Sequence, residues 1–234
     1  MQFFFADNTE SDIFTLNEEE SCHCVRVLRH GVGDKLMVVD GHGTLCHCRI
    51  LEAHPKHCSV SVEERLRDYG RHSFRLHLAV APTKNTARME WLVEKAVEMG
   101  IDEITPLVCD HSERNTIKVE RLEKIAVSAM KQSLKAFKPV INAPTAFSDL
   151  VNTSASDNHQ CFIAYCDGEH RTPLRDAYRA GSDALILIGP EGDFSANEVR
   201  EALSQGFIPV TLGQYRLRTE TAAMAAVAFL NLIK

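Results

Sequence analysis

Five consecutive apolar residues, Ala184-Leu185-Ile186-Leu187-Ile188, end abruptly at Gly189-Pro190. The run is too short for a helix and does not alternate, so it leaves no side for water and predicts a strand buried on both faces, as in a parallel sheet. A sheet of that kind needs helical crossovers on its faces, so strand and helix signals must alternate around it. They do so from residue 74 onwards. Residues 74–81, 104–108, 161–165 and 207–212 read as further strands, the last interrupted by Pro209. Between them lie a helix at Thr86–Met99 closed by Gly100, a long helix over 119–137 stopped before Pro139, and a closing helix over 219–234.

Residues 1–70 read differently. Short apolar runs at 35–40, 44–53 and 59–64 are separated by tight turns, and Asp40-Gly41 between the first two is a hairpin signal. One short helix over 18–29 ends at Gly31. The pattern predicts a small β-rich module, in outline a barrel, over residues 1–70. The polar linker Asp68-Tyr69-Gly70-Arg71-His72 joins it to an α/β domain over 71–234. With 234 residues, 44% hydrophobic and 25% charged, the chain can bury a core in both parts and is neither disordered nor fibrous. The longest apolar stretch, 222–233, falls short of the roughly 20 residues a bilayer span requires, and residues 1–6 lack the charged start of a signal peptide. A cytoplasmic protein is expected.

A net charge of −6 argues, as a whole-chain sum, against a nucleic-acid partner. Its distribution reverses that reading. Residues 1–70 carry 7 basic and 12 acidic side chains, whereas 111–140 carry seven Lys/Arg against three Glu. The stretch is either a solvated helix face with pairs such as Glu120 and Lys124, or a basic track for RNA on an otherwise acidic protein. Cys22-His23-Cys24 and Cys46-His47-Cys48 look like metal-ligand clusters, but structural zinc sites usually place about two to four residues between paired cysteines. One residue intervenes here, so no metal is expected, and Cys46 and Cys48 should share one strand face and pack as small apolar side chains. A disulfide framework is not expected either.

Ligands of parallel α/β sheets bind beyond the carboxyl ends of the strands, where two loops stand out. The first is Gly189-Pro190-Glu191-Gly192-Asp193-Phe194. Behind it, Ser195 and Glu198 form a capping box, with Phe194 and Val199 placed for a hydrophobic staple. The glycines let backbone approach a ligand, while Glu191 and Asp193 make a poor phosphate cradle, and neither a Walker-type nor a dinucleotide fingerprint occurs in the chain. Locally, a plain strand-to-helix turn explains these residues as well. The second loop, from Gly213 through Arg216 and Arg218 to Glu220 and Thr221, again runs from strand into helix. Thr219 or Thr221 can cap and Glu220 suits the first turn, but arginines gain nothing from a helix N-terminus, which assigns Arg218 to a site.

The segments LILIGPEGDFS and LGQYRLRTETA resemble the RsmE family of small-subunit ribosomal RNA methyltransferases, whose counterparts read approximately LLIGPEGGFS and LGPRILRTETA. The resemblance extends to Val27-Leu28-Arg29 after His23, to Lys84 and Arg88-Met89-Glu90 followed by EKAVEMGI and ITPL, and to Gln132 in SAMKQS, covering nearly the whole chain. It implies a PUA-like β-barrel followed by a SPOUT domain with a C-terminal trefoil knot, a homodimer, S-adenosylmethionine (SAM) as cofactor, and methylation of N3 of one uridine in 16S rRNA. On that resemblance Ile188, Gly189, Pro190, Glu191, Gly192, Leu212, Gly213, Leu217, Thr219, Thr221 and Ala222 bind the cofactor. Arg218 and Glu220 stand nearest the chemistry, with Glu220 expected to orient Arg218. Arg26, Arg29, Lys84, Arg88, Arg114, Lys131, Gln132 and Lys135 are expected on the RNA.

Three positions depart from the family pattern. Asp193 replaces a glycine, so the loop either avoids positive φ there or relies on aspartate tolerating it. Tyr215 stands where arginine is usual, with Arg216 next to it, and Lys135 keeps the charge of an arginine without its bidentate fork. The family's Ser-Glu-Arg triplet aligns with Ser112-Glu113-Arg114 or with Cys109-Asp110-His111. The rival class is a non-catalytic RNA-binding ribosome assembly factor with a degenerate pocket. Two glycine loops at strand ends argue against it, and a nucleotide-dependent oxidoreductase lacks its fingerprint.

Overall fold

The computed structural model describes residues 2–154, 159–166 and 171–232. The chain forms two compact units, one of residues 1–71 with 127–138 and the other of 72–126 with 139–234.

In the first unit, strands β1 (Phe3–Phe5), β2 (Ile13–Thr15), β3 (Lys35–Val39), β4 (Leu45–Glu52) and β5 (Ser59–Leu66) form one sheet in the order β1-β3-β4-β5-β2. Only β1, which the sequence pattern did not reveal, runs parallel to its neighbour. The β3–β4 hairpin forms as expected, its turn held by Asp40 Oδ1, which accepts from the backbone N–H of His42 (2.8 Å) and Thr44 (3.0 Å). Gly43 in that turn is required twice: its φ is +99°, and a Cβ would fall 2.2 Å from the Phe137 ring. Cys46 and Cys48 do pack inward, with Cys24, Cys58, Val38 and Ile50, and burial pushes the Cys48 thiol up to about 12.

The expected helix over 18–29 is two structures. Helix α1 (Glu18–Cys22) starts at Asn17, whose side chain accepts from Glu20 N, and then widens into a π-turn over His23–Val27, with Leu28 N donating to His23 O.

The second unit is a parallel sheet with helical crossovers. Its strands are β6 (Leu76–Val80), β7 (Glu103–Val108), β8 (Val140–Ile141), β9 (Thr145–Ala146), β10 (Gln160–Ala164), β11 (Thr172–Pro173), β12 (Ala184–Ile188) and β13 (Ile208–Thr211). Their order is β11-β13-β10-β12-β6-β7-β8, with β9 on β7. The ALILI run is β12, central between β10 and β6, and all five of its side chains are buried. Each large one contributes about 1.5–3 kcal/mol of burial. Pro209 does not break β13, because it sits where that strand borders only β10. Helices α2 (Thr86–Met99), α4 (Phe147–Ser154), α5 (Leu174–Ala177), α6 (Ala196–Ser204) and α7 (Thr219–Leu232) fill the connections, and Gly100 closes α2 at φ +96° as expected.

Helix α3 (Val119–Gln132) is five residues shorter than the 119–137 expected. Its stop is a left-handed residue, Leu134 at φ +57°, flanked by the bonds Lys135 N to Met130 O and Leu134 N to Lys131 O of a Schellman motif. Leucine in the place of the usual glycine hid the stop from sequence reading. No helix among the described residues is long and apolar enough to cross a membrane.

Candidate active site

The two loops singled out in the sequence meet at the carboxyl ends of β10, β12 and β13. Thr219, the first residue of α7, donates its hydroxyl to the carbonyl of Gly189, 3.1 Å away and buried, and so ties the second loop to the first. In the first loop Asp193 N donates to Pro190 O (3.0 Å), and Asp193 takes the left-handed conformation at φ +65°. Aspartate thus tolerates the conformation the loop needs, and its carboxylate adds a clasp. One oxygen accepts from Phe194 N (2.9 Å), the other from Cys166 N (2.7 Å) just beyond β10. The capping box forms in both directions, with Ser195 Oγ accepting from Glu198 N (3.2 Å) and Glu198 Oε2 accepting from Ser195 N (2.7 Å). Phe194 and Val199 pack in one hydrophobic cluster, as a staple requires.

Two adjoining clefts open between the loops. One, of about 340 Å³, lies between Ile188, Gly189, Pro190, Glu191 and Asp193 on one side and Leu217, Arg218, Thr219 and Ala222 on the other. The second, of about 310 Å³, continues over Leu212 and Gly213, and both share Ala164, Cys166, Arg216, Leu217 and Ala222. Most of the expected cofactor residues therefore come together. Gly192 and Thr221 do not line either cleft: Gly192 backs onto His111, and Thr221 is exposed on the first turn of α7. Burial, followed by the neighbouring Asp193 carboxylate, raises the Cys166 thiol and keeps it protonated.

Arg218 is exposed at the mouth of the first cleft; its carbonyl accepts from Ala222 N (2.7 Å), but its guanidinium has no hydrogen bond or ion pair to any described residue. Glu220 does not orient it. Its buried carboxylate pairs instead with Arg88 of α2, Nη1 to Oε1 at 3.4 Å. Across the cleft Glu191 accepts from Lys84 N (3.1 Å), while the Lys84 ammonium pairs with Glu113 at 2.8 Å, which raises its pKa.

A third loop, directly after β7, completes this end of the sheet; the sequence placed its Arg114 on the RNA and offered two alignments of the family triplet within it, but gave Asp110 and His111 no role of their own. His111 Nδ1 lies 3.2 Å from Gly192 O and 3.0 Å from Asp193 O. Both are acceptors, so Nδ1 carries a proton and donates to them. Asp110 accepts from Ser195 Oγ (2.6 Å) and donates its N–H to Glu198 Oε1 (2.9 Å), locking this loop to the capping box. Cys109-Asp110-His111 is thus the triplet that touches the glycine loop, whereas Glu113 is taken up by Lys84 and Arg114 is half-buried without a polar partner among the described residues. The signal available in the sequence was positional: polar residues following a strand at the ligand end of the sheet.

A family model for an RNA methyltransferase domain matches residues 71–231. The chain belongs to the RNA methyltransferase family. A model for the RNA methyltransferase PUA domain matches residues 16–63 as well. The ribosomal RNA small subunit methyltransferase E of Bacillus subtilis is 26% identical over 99% of this chain and 96% of its own length. Its counterpart from Buchnera aphidicola (strain APS) is 27% identical over 98% and 92%. A solved structure described as a probable rRNA-methyltransferase from Porphyromonas gingivalis is 44% identical, covers 100% of this chain and 98% of that one, and superposes with a TM-score of 0.91. A Legionella pneumophila structure in complex with SAM is 27% identical, covers 98% and 95%, and has a TM-score of 0.83. The resemblance to the RsmE family is borne out.

In this methyltransferase the first unit holds the remaining expected RNA residues. Arg26 and Arg29 are exposed on and just after the π-turn, without polar partners among the described residues, and Arg29 is left-handed at φ +59°. Lys131 is different. Its side chain is 16% exposed and its ammonium is bound to the buried Glu20 carboxylate. Gln132 is exposed beside it and Lys135 is half-buried. Arg121 is also engaged, by Glu90, while Glu120 and Lys124 do not pair. The basic count over 111–140 therefore overstates the free charge.

Proposed function

We propose that this methyltransferase transfers a methyl group from SAM to N3 of one uridine in 16S rRNA of the small ribosomal subunit, acting in the cytoplasm as a homodimer, with residues 1–70 as its RNA-binding domain and 71–234 as its SPOUT domain. The observation that carries the reading is the cleft between the Gly189–Phe194 and Leu212–Thr219 loops, closed by the Thr219–Gly189 hydrogen bond. The strand order, with β10 between β12 and β13, supports the knotted connection. Exposed Trp91 on α2 and Phe229 and Leu232 on α7 support the dimer, since a monomer gains nothing by leaving them in water.

The cleft suits the cofactor. Glu191 and Asp193 give one wall a negative charge that favours a sulfonium, opposite Arg216 and Arg218, which can meet a carboxylate or the uracil. Ile188, Gly189, Pro190, Leu212, Gly213, Leu217 and Ala222 would hold it, mainly through backbone groups. When bound, SAM supplies an electrophilic methyl group. The chain would position the uracil in line with it and favour the base that has lost its N3 proton to solvent, so that the N3 lone pair takes the methyl group as the S–CH3 bond breaks and the neutral thioether leaves. Arg218, the partner-free guanidinium at the cleft mouth, holds the charge that develops on the uracil. Glu220 acts through Arg88 and is a positioning residue. N3 lies on the pairing edge, so the target base enters unpaired.

Replacing Arg218 with Ala is expected to leave SAM affinity by calorimetry within about twofold while lowering methyl transfer to 16S rRNA roughly 100-fold, the scale of losing one charge-stabilising donor. Unchanged transfer would remove Arg218 from the chemistry. Absence of SAM binding by the unsubstituted chain would replace the whole reading with the assembly-factor one.

A further inference from the structure

A third cavity, of about 410 Å³, lies within the first unit, away from any residue given a catalytic role. Its walls include Glu20, His23, Ser128, Lys131 and Gln132. Glu20 sits at the C-terminal part of the first turn of α1 and is only 4% exposed. One of its oxygens takes the Lys131 ammonium, and the other, Oε2, has no hydrogen-bond partner among the described residues. A buried acceptor left in that state is costly, and in a polar cavity the missing partner is a donor supplied by the occupant.

The charges decide what kind of donor. With Glu19 and Glu20 against Lys131, the walls carry a net negative charge when His23 is neutral, so the cavity repels phosphate and selects N–H groups. A carboxylate beside an ammonium and an amide presents acceptors next to donors. Among the four RNA bases, guanine matches this best, with N1–H and N2–H directed at a carboxylate and O6 directed at a donor. The backbone of such a nucleotide has cations at hand: Arg26 on the π-turn and Arg29 just after it follow His23 by three and six residues, their side chains exposed and without polar partners among the described residues.

We infer that this cavity takes the base of one unpaired guanosine, with Glu20 reading its N1–H and N2–H edge and Lys131 or Gln132 donating to O6, so that the first unit reads sequence as well as backbone. Oε2 has almost no accessible surface, so entry of the base needs side-chain movement in the cavity wall that leaves the Glu20–Lys131 pair in place. The inference rests on the RNA-binding part of the proposed function and is independent of methyl transfer.

The test is fluorescence anisotropy of the full chain with the single-stranded pentamers UUGUU, UUAUU, UUCUU and UUUUU, alongside a 16S rRNA transcript. The expected result is tighter binding of UUGUU than of the other three by about 5- to 100-fold, the range for one good edge contact. Glu20→Gln and, because that variant disturbs a buried ion pair, Ser128→Phe, which fills the cavity mouth from an exposed position, are each expected to abolish the preference while UUUUU affinity stays within about twofold. Equal binding of the four pentamers, or a guanosine preference that survives in both variants, overturns the inference while leaving binding of the 16S transcript intact. If the transcript itself does not bind, the RNA-binding reading fails together with it.

Discussion

At the scale of single residues, Asp193 shows how a departure from a family pattern can be absorbed. Its backbone occupies the left-handed region that the loop demands, and its carboxylate collects two backbone N–H groups that a glycine would leave to water. Asp193→Ala loses both and is strained at φ +65°, so it should destabilise the chain by about 1–3 kcal/mol and weaken SAM binding, whereas Asp193→Asn, which tolerates the conformation and keeps an acceptor, should cost less. Denaturant titration and calorimetry of the two variants check this, and equal losses would refute the conformational part. Lys131 makes the opposite point. Its sequence position marks it as an RNA cation, yet its charge is spent on Glu20, a pairing between residues 111 positions apart that spacing cannot disclose.

At the scale of elements, the parallel sheet carries a polar cluster on the first residues of β6 and β7, distant in register from the cleft. His77 lies 2.7 Å from Thr105 Oγ1, Asn142 donates to Thr105 and to Glu103, and Arg75 pairs with Glu103 at 2.8 Å. Burial lowers the His77 pKa to about 4, in spite of the Glu103 carboxylate 3.8 Å away. The unfolded chain takes up this proton below about pH 6.5 and the folded chain only near 4, so the stability held above pH 6.5 is lost on acidification between those values, by on the order of 3 kcal/mol. His77→Gln, which retains a hydrogen bond to Thr105, should flatten the fall of melting temperature over that window. An unchanged slope would place the acid sensitivity elsewhere. The elements also show where sequence patterns succeed. The capping box at Ser195, the Gly100 stop and the ALILI strand were legible because each depends on residues a few positions apart. The end of α3 and the π-turn after α1 were not, because a leucine stands at the left-handed stop and nothing in the helical period distinguishes i→i+4 from i→i+5 bonding.

At the scale of the whole molecule, the net charge of −6 coexists with RNA methyltransferase membership because neutralisation is local. Arg121 and Lys131 are paired internally, so the cations left for phosphate are fewer than the count over 111–140 implies, and Lys84, outside that stretch, is paired too. Each of Arg26→Ala, Arg29→Ala and Arg114→Ala should reduce the slope of log affinity for 16S rRNA against log salt by about 0.7–0.9. Lys131→Met should chiefly lower stability, by about 3 kcal/mol, because it strands a buried carboxylate. Salt titration of binding with parallel melting curves separates the two classes, and a slope change for Lys131→Met equal to that of Arg26→Ala would restore it to the phosphate contacts.

The sequence by itself determined the parallel sheet, the two ligand loops at its carboxyl end, the inward packing of Cys46 and Cys48, and, by resemblance, the family. These follow from apolar period, turn chemistry and short motifs, all local. Only the tertiary structure decided that Thr219 closes on Gly189, that Glu220 serves Arg88 and not Arg218, that His111 and Asp110 brace the glycine loop, and that Glu20 holds Lys131. The reason is common to all four. A charge or hydrogen-bonding group pairs with whatever the fold brings within about 3 Å, and that choice is made by packing between distant segments after their local structure is already fixed.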